Sequence, residues 1–98
     1  EAYFYVPKGT KEFSIVAKAY EPLRIQIDGP IVRPSPLPAI NQQAQVFQEH
    51  AIPVQPGQDG TIWRMALEGG KKDLYLQGIP PFLAGRPERL LIPPGSDP

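Results

Sequence analysis

"LRIQID", residues 23–28, decides the fold. Leu23, Ile25 and Ile27 alternate with Arg24, Gln26 and Asp28. A period of two puts the apolar set on one face of an extended strand and the polar set on the other. The alternation recurs on both sides of this stretch. "EFSIVAKA" (12–19) sets Phe13, Ile15 and Ala17 against Ser14, Val16 and Lys18. "TIWRMALEG" (61–69) sets Trp63, Met65 and Leu67 against Ile62, Arg64 and Ala66, and "KDLYLQG" (72–78) sets Leu74 and Leu76 against Asp73, Tyr75 and Gln77. "AYFYV" (2–6) is apolar on both faces, with Tyr3 and Tyr5 carrying hydroxyls that can reach water. "QVFQEHAIPV" (45–54) is a weaker strand, and Pro53 places it at a sheet edge or a strand end.

The breaks between these runs are equally informative. Fourteen of the 98 residues are proline, about three times the usual frequency of roughly 5%. Proline lacks the N–H a helix needs and clashes with the preceding turn, so long helices are excluded. "PKGTK" (7–11), "DGP" (28–30), "PGQDG" (56–60) and "EGGKK" (68–72) supply turn glycines, and Asp59-Gly60 opens the strand at Thr61. "RPSPLPAINQQAQ" (33–45) spaces three prolines at alternate positions, which favours an extended, partly polyproline II loop leading to an edge strand. "RPERLL" (86–91) is expected to form one helical or 3₁₀ turn. Short alternating strands divided by turns predict an all-β antiparallel sandwich of jelly-roll or Greek-key type. It is expected as one domain over residues 1–93, with a tail at 94–98. The expected core is Phe4, Phe13, Ile15, Leu23, Ile25, Ile27, Trp63, Met65, Leu67, Leu74 and Leu76.

Composition narrows the functions. Ten basic residues balance ten acidic ones, and no run of like charge exceeds two. Nucleic acid and anionic membranes both call for a basic surface, so neither is an expected partner. The apolar stretches are too short to span a bilayer. There is no cysteine, which removes disulfides, thiolate metal sites and a cysteine nucleophile. The first residue, Glu1, leads directly into an apolar run, as expected of a domain cut from a longer polypeptide.

Candidate chemistry is sparse. His50 is the sole histidine, and none of Ser14, Ser35 and Ser96 has the glycine-flanked elbow of a nucleophile. His50 alternates with Ile52 and is expected at the core margin, in a structural role or solvated. One histidine without cysteine does not make a zinc shell. Asp28, Asp59 and Asp73 could offer oxygens to calcium, but no DxDxDG cluster is present, and Asp28 and Asp59 precede glycines in turns. The acids are scattered over turns and outward faces, unlike the paired carboxylates of a glycosidase. Neither an enzyme nor a bound cofactor is expected.

The aromatic residues are what remains. Trp63 is in phase with Met65 and Leu67, which predicts core and not a ligand platform. The candidate interaction surface is Phe82 and Leu83 in the proline-bounded loop "IPPFLAG" (79–85), Tyr3 and Tyr5 in the first strand, and Tyr75 and Arg24 on outward faces. Tyr20 is a further candidate platform.

Three stretches, "YFYVPKGTKEFSI" (3–15), "VQPGQDGTIWRMAL" (54–67) and "LQGIPPFLAGRPERLLIP" (76–93), resemble the C-terminal β-sandwich modules of large secreted bacterial proteins, often glycoside-hydrolase-like or uncharacterised ones. The first is also similar to the opening strands of pre-peptidase C-terminal domains, which carry a "YFxVPxGT" strand and turn. After "LRIQIDGP" the aspartate-rich continuation of that family is replaced by "IVRPSPLP", so no calcium ligands carry over. The resemblance implies a non-catalytic accessory module of an exported protein, placed in the periplasm, at the cell surface or outside the cell. It would pack against neighbouring domains of the parent polypeptide or another protein. The alternative is a carbohydrate-binding module that brings an attached enzyme to a polysaccharide.

Overall fold

The computed structural model describes residues 2–43, 45–80 and 83–85. The described residues form seven strands and no helix: β1 (Ala2–Val6), β2 (Glu12–Ala19), β3 (Leu23–Asp28), β4 (Ile40–Gln42), β5 (Gln48–Pro53), β6 (Thr61–Glu68) and β7 (Lys72–Gln77). Four of them make one sheet in the order β1-β6-β3-β4, and three make the second in the order β5-β2-β7. All neighbours are antiparallel. The chain is an all-β sandwich. Every connection except β3–β4 passes from one sheet to the other, the interleaving of a jelly-roll-like topology. The turn expected at residues 86–91 and the tail at 94–98 lie outside the described residues.

Alternation sets the two layers. In the four-stranded sheet, Phe4 and Val6, Leu23, Ile25 and Ile27, and Trp63 and Met65 point inward and are buried. From the three-stranded sheet, Phe13, Ile15, Ala17, Ile52 and Leu76 meet them. Leu67 and Leu74, expected in the core, are only partly buried and pack against its margin. Leu67 stands near the end of its strand, and Leu74 lies on an edge strand, where one side has no neighbouring strand. Val54 and Ile79, which flank strands instead of belonging to them, complete the core.

An aromatic trio ties the layers together. Phe13 of one sheet meets Phe4 and Trp63 of the other at centroid distances of 5.5 Å in both cases, with interplanar angles of 66° and 81°. These edge-to-face contacts put the positive rim of one ring against the negative face of another. Trp63 has no exposed surface, and its indole N–H donates to Gln58 O and Thr61 Oγ1, both at 3.1 Å. The polar atom of the largest core side chain is thereby satisfied inside the protein.

The turns hold the ends of the sandwich. Asp59 Oδ2 accepts from the Gly9 N–H at 2.7 Å, joining the first turn to the 56–60 turn, and Gly60 N donates to Val6 O. Gly69 has φ +149°, and a Cβ there would lie 2.7 Å from Pro22 O. The position therefore rejects a side chain on two counts. The proline-rich loop doubles back instead of simply running on. Asp28 and Pro36 form an antiparallel bridge, and Leu37 N donates to Ile27 O before the chain enters edge strand β4. At the opposite edge of that sheet, Tyr3 and Ala84 exchange two backbone hydrogen bonds of 2.7 and 3.0 Å.

Trp63→Ala should lower the unfolding free energy by about 3–5 kcal/mol, as expected for removing a fully buried large aromatic side chain. Urea denaturation followed by circular dichroism measures it, and near-wild-type stability would contradict the packing described. Gly69→Ala should cost on the order of 1–3 kcal/mol through backbone strain, read by the same titration.

Candidate functional site

Among the described residues, four of the six large exposed hydrophobic side chains, Tyr20, Val46, Phe47 and Tyr75, lie on or beside the three-stranded sheet. Its register explains how the rings meet. Val16 of central strand β2 is opposite Glu49 of β5 and Tyr75 of β7. Phe47 immediately precedes β5, and its ring lies 6.0 Å from that of Tyr75 at a tilt of 56°. Val16, between them on the central strand, is left only 6% exposed. Lys18 continues the outward face of β2, with Nζ 5.8 Å from the Phe47 centroid and 5.3 Å from that of Tyr20. Lys71 Nζ is also 5.3 Å from the Tyr20 centroid, and the Tyr20 hydroxyl donates to Asp73 Oδ2 at 3.2 Å. Each ammonium is drawn to a ring's negative face. The outcome is a corrugated band of three rings and two lysines.

The residues expected to form an interaction surface do not gather in one place. Tyr75 is 49% exposed and Leu83 42%. Arg24 is exposed on the outer face of the four-stranded sheet, 3.7 Å from Glu68. Tyr3 is half-buried, at the edge sealed by Ala84. Tyr5 is a correction: it is buried, with 3% exposed, and offers no surface. It stands opposite Ile62 in the β1–β6 register, and the segment that follows β3 meets that partner, with Ile31 N donating to Ile62 O. Phe82 lies outside the described residues. Phe47, Lys18 and Lys71 are the members of the band that sequence reasoning missed. The signal for Phe47 was the apolar pair "VF" just ahead of an otherwise polar strand start.

The polar candidates are engaged structurally. His50 points between the sheets, where its Nε2 lies 2.6 Å from Gln42 Oε1. Gln42 Nε2 in turn donates to Ala17 O at 2.7 Å. With the amide nitrogen used as donor, Gln42 Oε1 accepts, so His50 carries its proton on Nε2. This chain links β4 of one sheet to β2 and β5 of the other, and Gln42 is 2% exposed. Ser14 takes the opposite face of β2, its hydroxyl donating to Glu49 Oε2 at 2.7 Å, so Ser14 and His50 sit on opposite sides of their sheet. Asp28, Asp59 and Asp73 contact Arg64, Gly9 and Tyr20 separately. Among the described residues there is no group of three or more histidine or acidic side chains placed to hold a metal ion, and no helix long and apolar enough to cross a membrane.

Comparison of the chain with protein-family models, with curated proteins and with solved structures gave no match. The physical description of the surface therefore carries the functional reading.

Gln42→Ala should destabilise the protein by about 1–3 kcal/mol, since Ala17 O and the His50 imidazole lose a buried partner. Thermal unfolding of the variant beside His50→Ala tests this. Two losses that fail to add in the double variant would identify the pair as one unit.

Proposed function

We propose that this chain is a non-catalytic accessory β-sandwich module of a larger exported protein, acting in domain packing or protein interaction through the outer face of β5-β2-β7. The observation that carries the reading is the concentration of exposed rings on that one face, with Phe47 and Tyr75 53% and 49% exposed. Aromatic anchors flanked by polar side chains are what protein interfaces bury at their centres. The separation of Ser14 from His50 supports a non-catalytic role, and the resemblance of the three sequence stretches supports the accessory context.

The form of the band favours a protein partner over a polysaccharide. A stacked pyranose needs an open ring face, whereas Lys18 lies near the faces of both Tyr20 and Phe47, and the Phe47–Tyr75 pair is tilted by 56°. Protein side chains can interdigitate with such relief.

Hydroxyl-radical footprinting read by mass spectrometry compares the isolated domain with the full-length polypeptide. Tyr20, Phe47 and Tyr75 should be labelled freely in the first and protected in the second, while Phe47→Ala costs the isolated domain only about 1 kcal/mol. Equal labelling in both forms would remove the packing reading. Retention on an insoluble polysaccharide, lost on Tyr75→Ala with the circular dichroism spectrum unchanged, would establish the carbohydrate-binding alternative in its place.

A further inference from the structure

The opposite sheet holds a second feature of a different kind. Tyr3, Arg64 and Asp28 stand side by side across three strands, since Tyr3 pairs with Arg64 in the β1–β6 register and Arg64 with Asp28 in the β3–β6 register. All three line a hollow of about 210 Å³, whose wall is made by Gly29, Ile31 and Pro34 of the segment 29–37 that follows β3. That wall is fixed by backbone hydrogen bonds: Gly29 N to Ser35 O at 3.1 Å, Arg33 N to Pro30 O at 2.9 Å, and Ile31 N to Ile62 O at 2.9 Å. A loop tied at both ends and across its middle needs little reordering to receive a ligand.

The lining selects the ligand's chemistry. Arg64 Nη2 lies 3.1 Å from Asp28 Oδ2, so the hollow presents a charged donor and a charged acceptor side by side, which suits a ligand that carries no net charge. The Asp28 carboxylate lines the hollow and can accept a hydroxyl proton. The Tyr3 ring, Ile31 and Pro34 supply an apolar wall for C–H groups. A compact neutral molecule with hydroxyls on its rim and C–H groups on its face fits this pattern, and a hexose unit is such a molecule. A volume of about 210 Å³ suits one ring and is too small for an oligosaccharide. We propose that Tyr3, Asp28 and Arg64 form a shallow subsite for one neutral hexopyranosyl unit. The site lies on the sheet opposite the aromatic band and stands whether or not that band docks a partner.

The test is a titration of the ¹⁵N-labelled chain with methyl β-D-glucopyranoside, methyl β-D-galactopyranoside and methyl α-D-mannopyranoside, followed by amide shifts. At least one glycoside should move the amides of Tyr3, Gly29, Ile31 and Arg64, with a dissociation constant on the order of 1–10 mM, which is about 3–4 kcal/mol of binding. Asp28→Asn should weaken it about tenfold through loss of a charge-assisted hydrogen bond. Tyr3→Leu, which keeps the apolar wall but removes the ring, should weaken it as well if Asp28→Asn does not fold. Tyr75→Ala on the other sheet should leave the titration unchanged. No shift at these amides with any of the three glycosides, or an equal response to sodium glucuronate, would overturn the proposal.

Discussion

The contact on which the rest of the structure depends is that of Phe13 with Phe4 and Trp63. It is made between sheets, and it brings the longest aromatic side chain of the protein to the centre of the sandwich. Because the indole N–H is satisfied by Gln58 O and Thr61 Oγ1, the same side chain also fixes the turn ahead of β6. That turn in turn holds Gly9 through Asp59. Core packing and loop order at this end are therefore one cooperative unit. At another place between the sheets, the polar chain of Ala17, Gln42 and His50 also joins the layers, but with hydrogen bonds. Apolar packing tolerates small slips in register. A buried amide with fixed partners tolerates them far less, so Gln42 specifies how the sheets are aligned.

Much of this was legible in the sequence. Alternation at Leu23, Ile25 and Ile27 and at Trp63 and Met65 identified the inward faces, and the prolines fixed the strand-length segments. Pro53 does end an edge strand, and His50 does face the core margin. What alternation could not convey was what covers the outward faces. Tyr5 is outward in phase yet buried, and the chain far along the sequence at Ile31 bonds to its register partner Ile62. Val16 is outward and nearly buried, because rings from both flanking segments close over it. The β4 residues Ile40–Gln42 are too few for a period to appear, and their role follows from pairing with β3. Phe47 lay in a segment whose strand pattern was weak, so its place beside Tyr75 emerges only from the β5-β2-β7 order.

The two outer faces differ in kind. One presents rings and lysine ammonium groups, with relief but little polar hydrogen-bonding geometry. The other presents a paired arginine and aspartate across adjacent strands, Arg24 beside Glu68, and the amide of Gln26, which donates to Leu37 O. Such polarisation gives the two faces of one small domain distinct chemistries. It needs only that the inward residues of both sheets be satisfied by a single core.

The order of strands has a kinetic consequence. Among the described strands, β3–β4 is the sole pairing between consecutive ones; β1 must find β6, joining Ala2 to Met65, and β2 must find both β5 and β7. Closing such long loops costs chain entropy before any strand pair is rewarded, and domains dominated by distant pairings reach their native state on the millisecond-to-second scale. No fragment ending before β6 contains a complete four-stranded sheet. Until β6 has been made, Phe4 and Phe13 lack their Trp63 partner and Phe4 lacks the strand it pairs with.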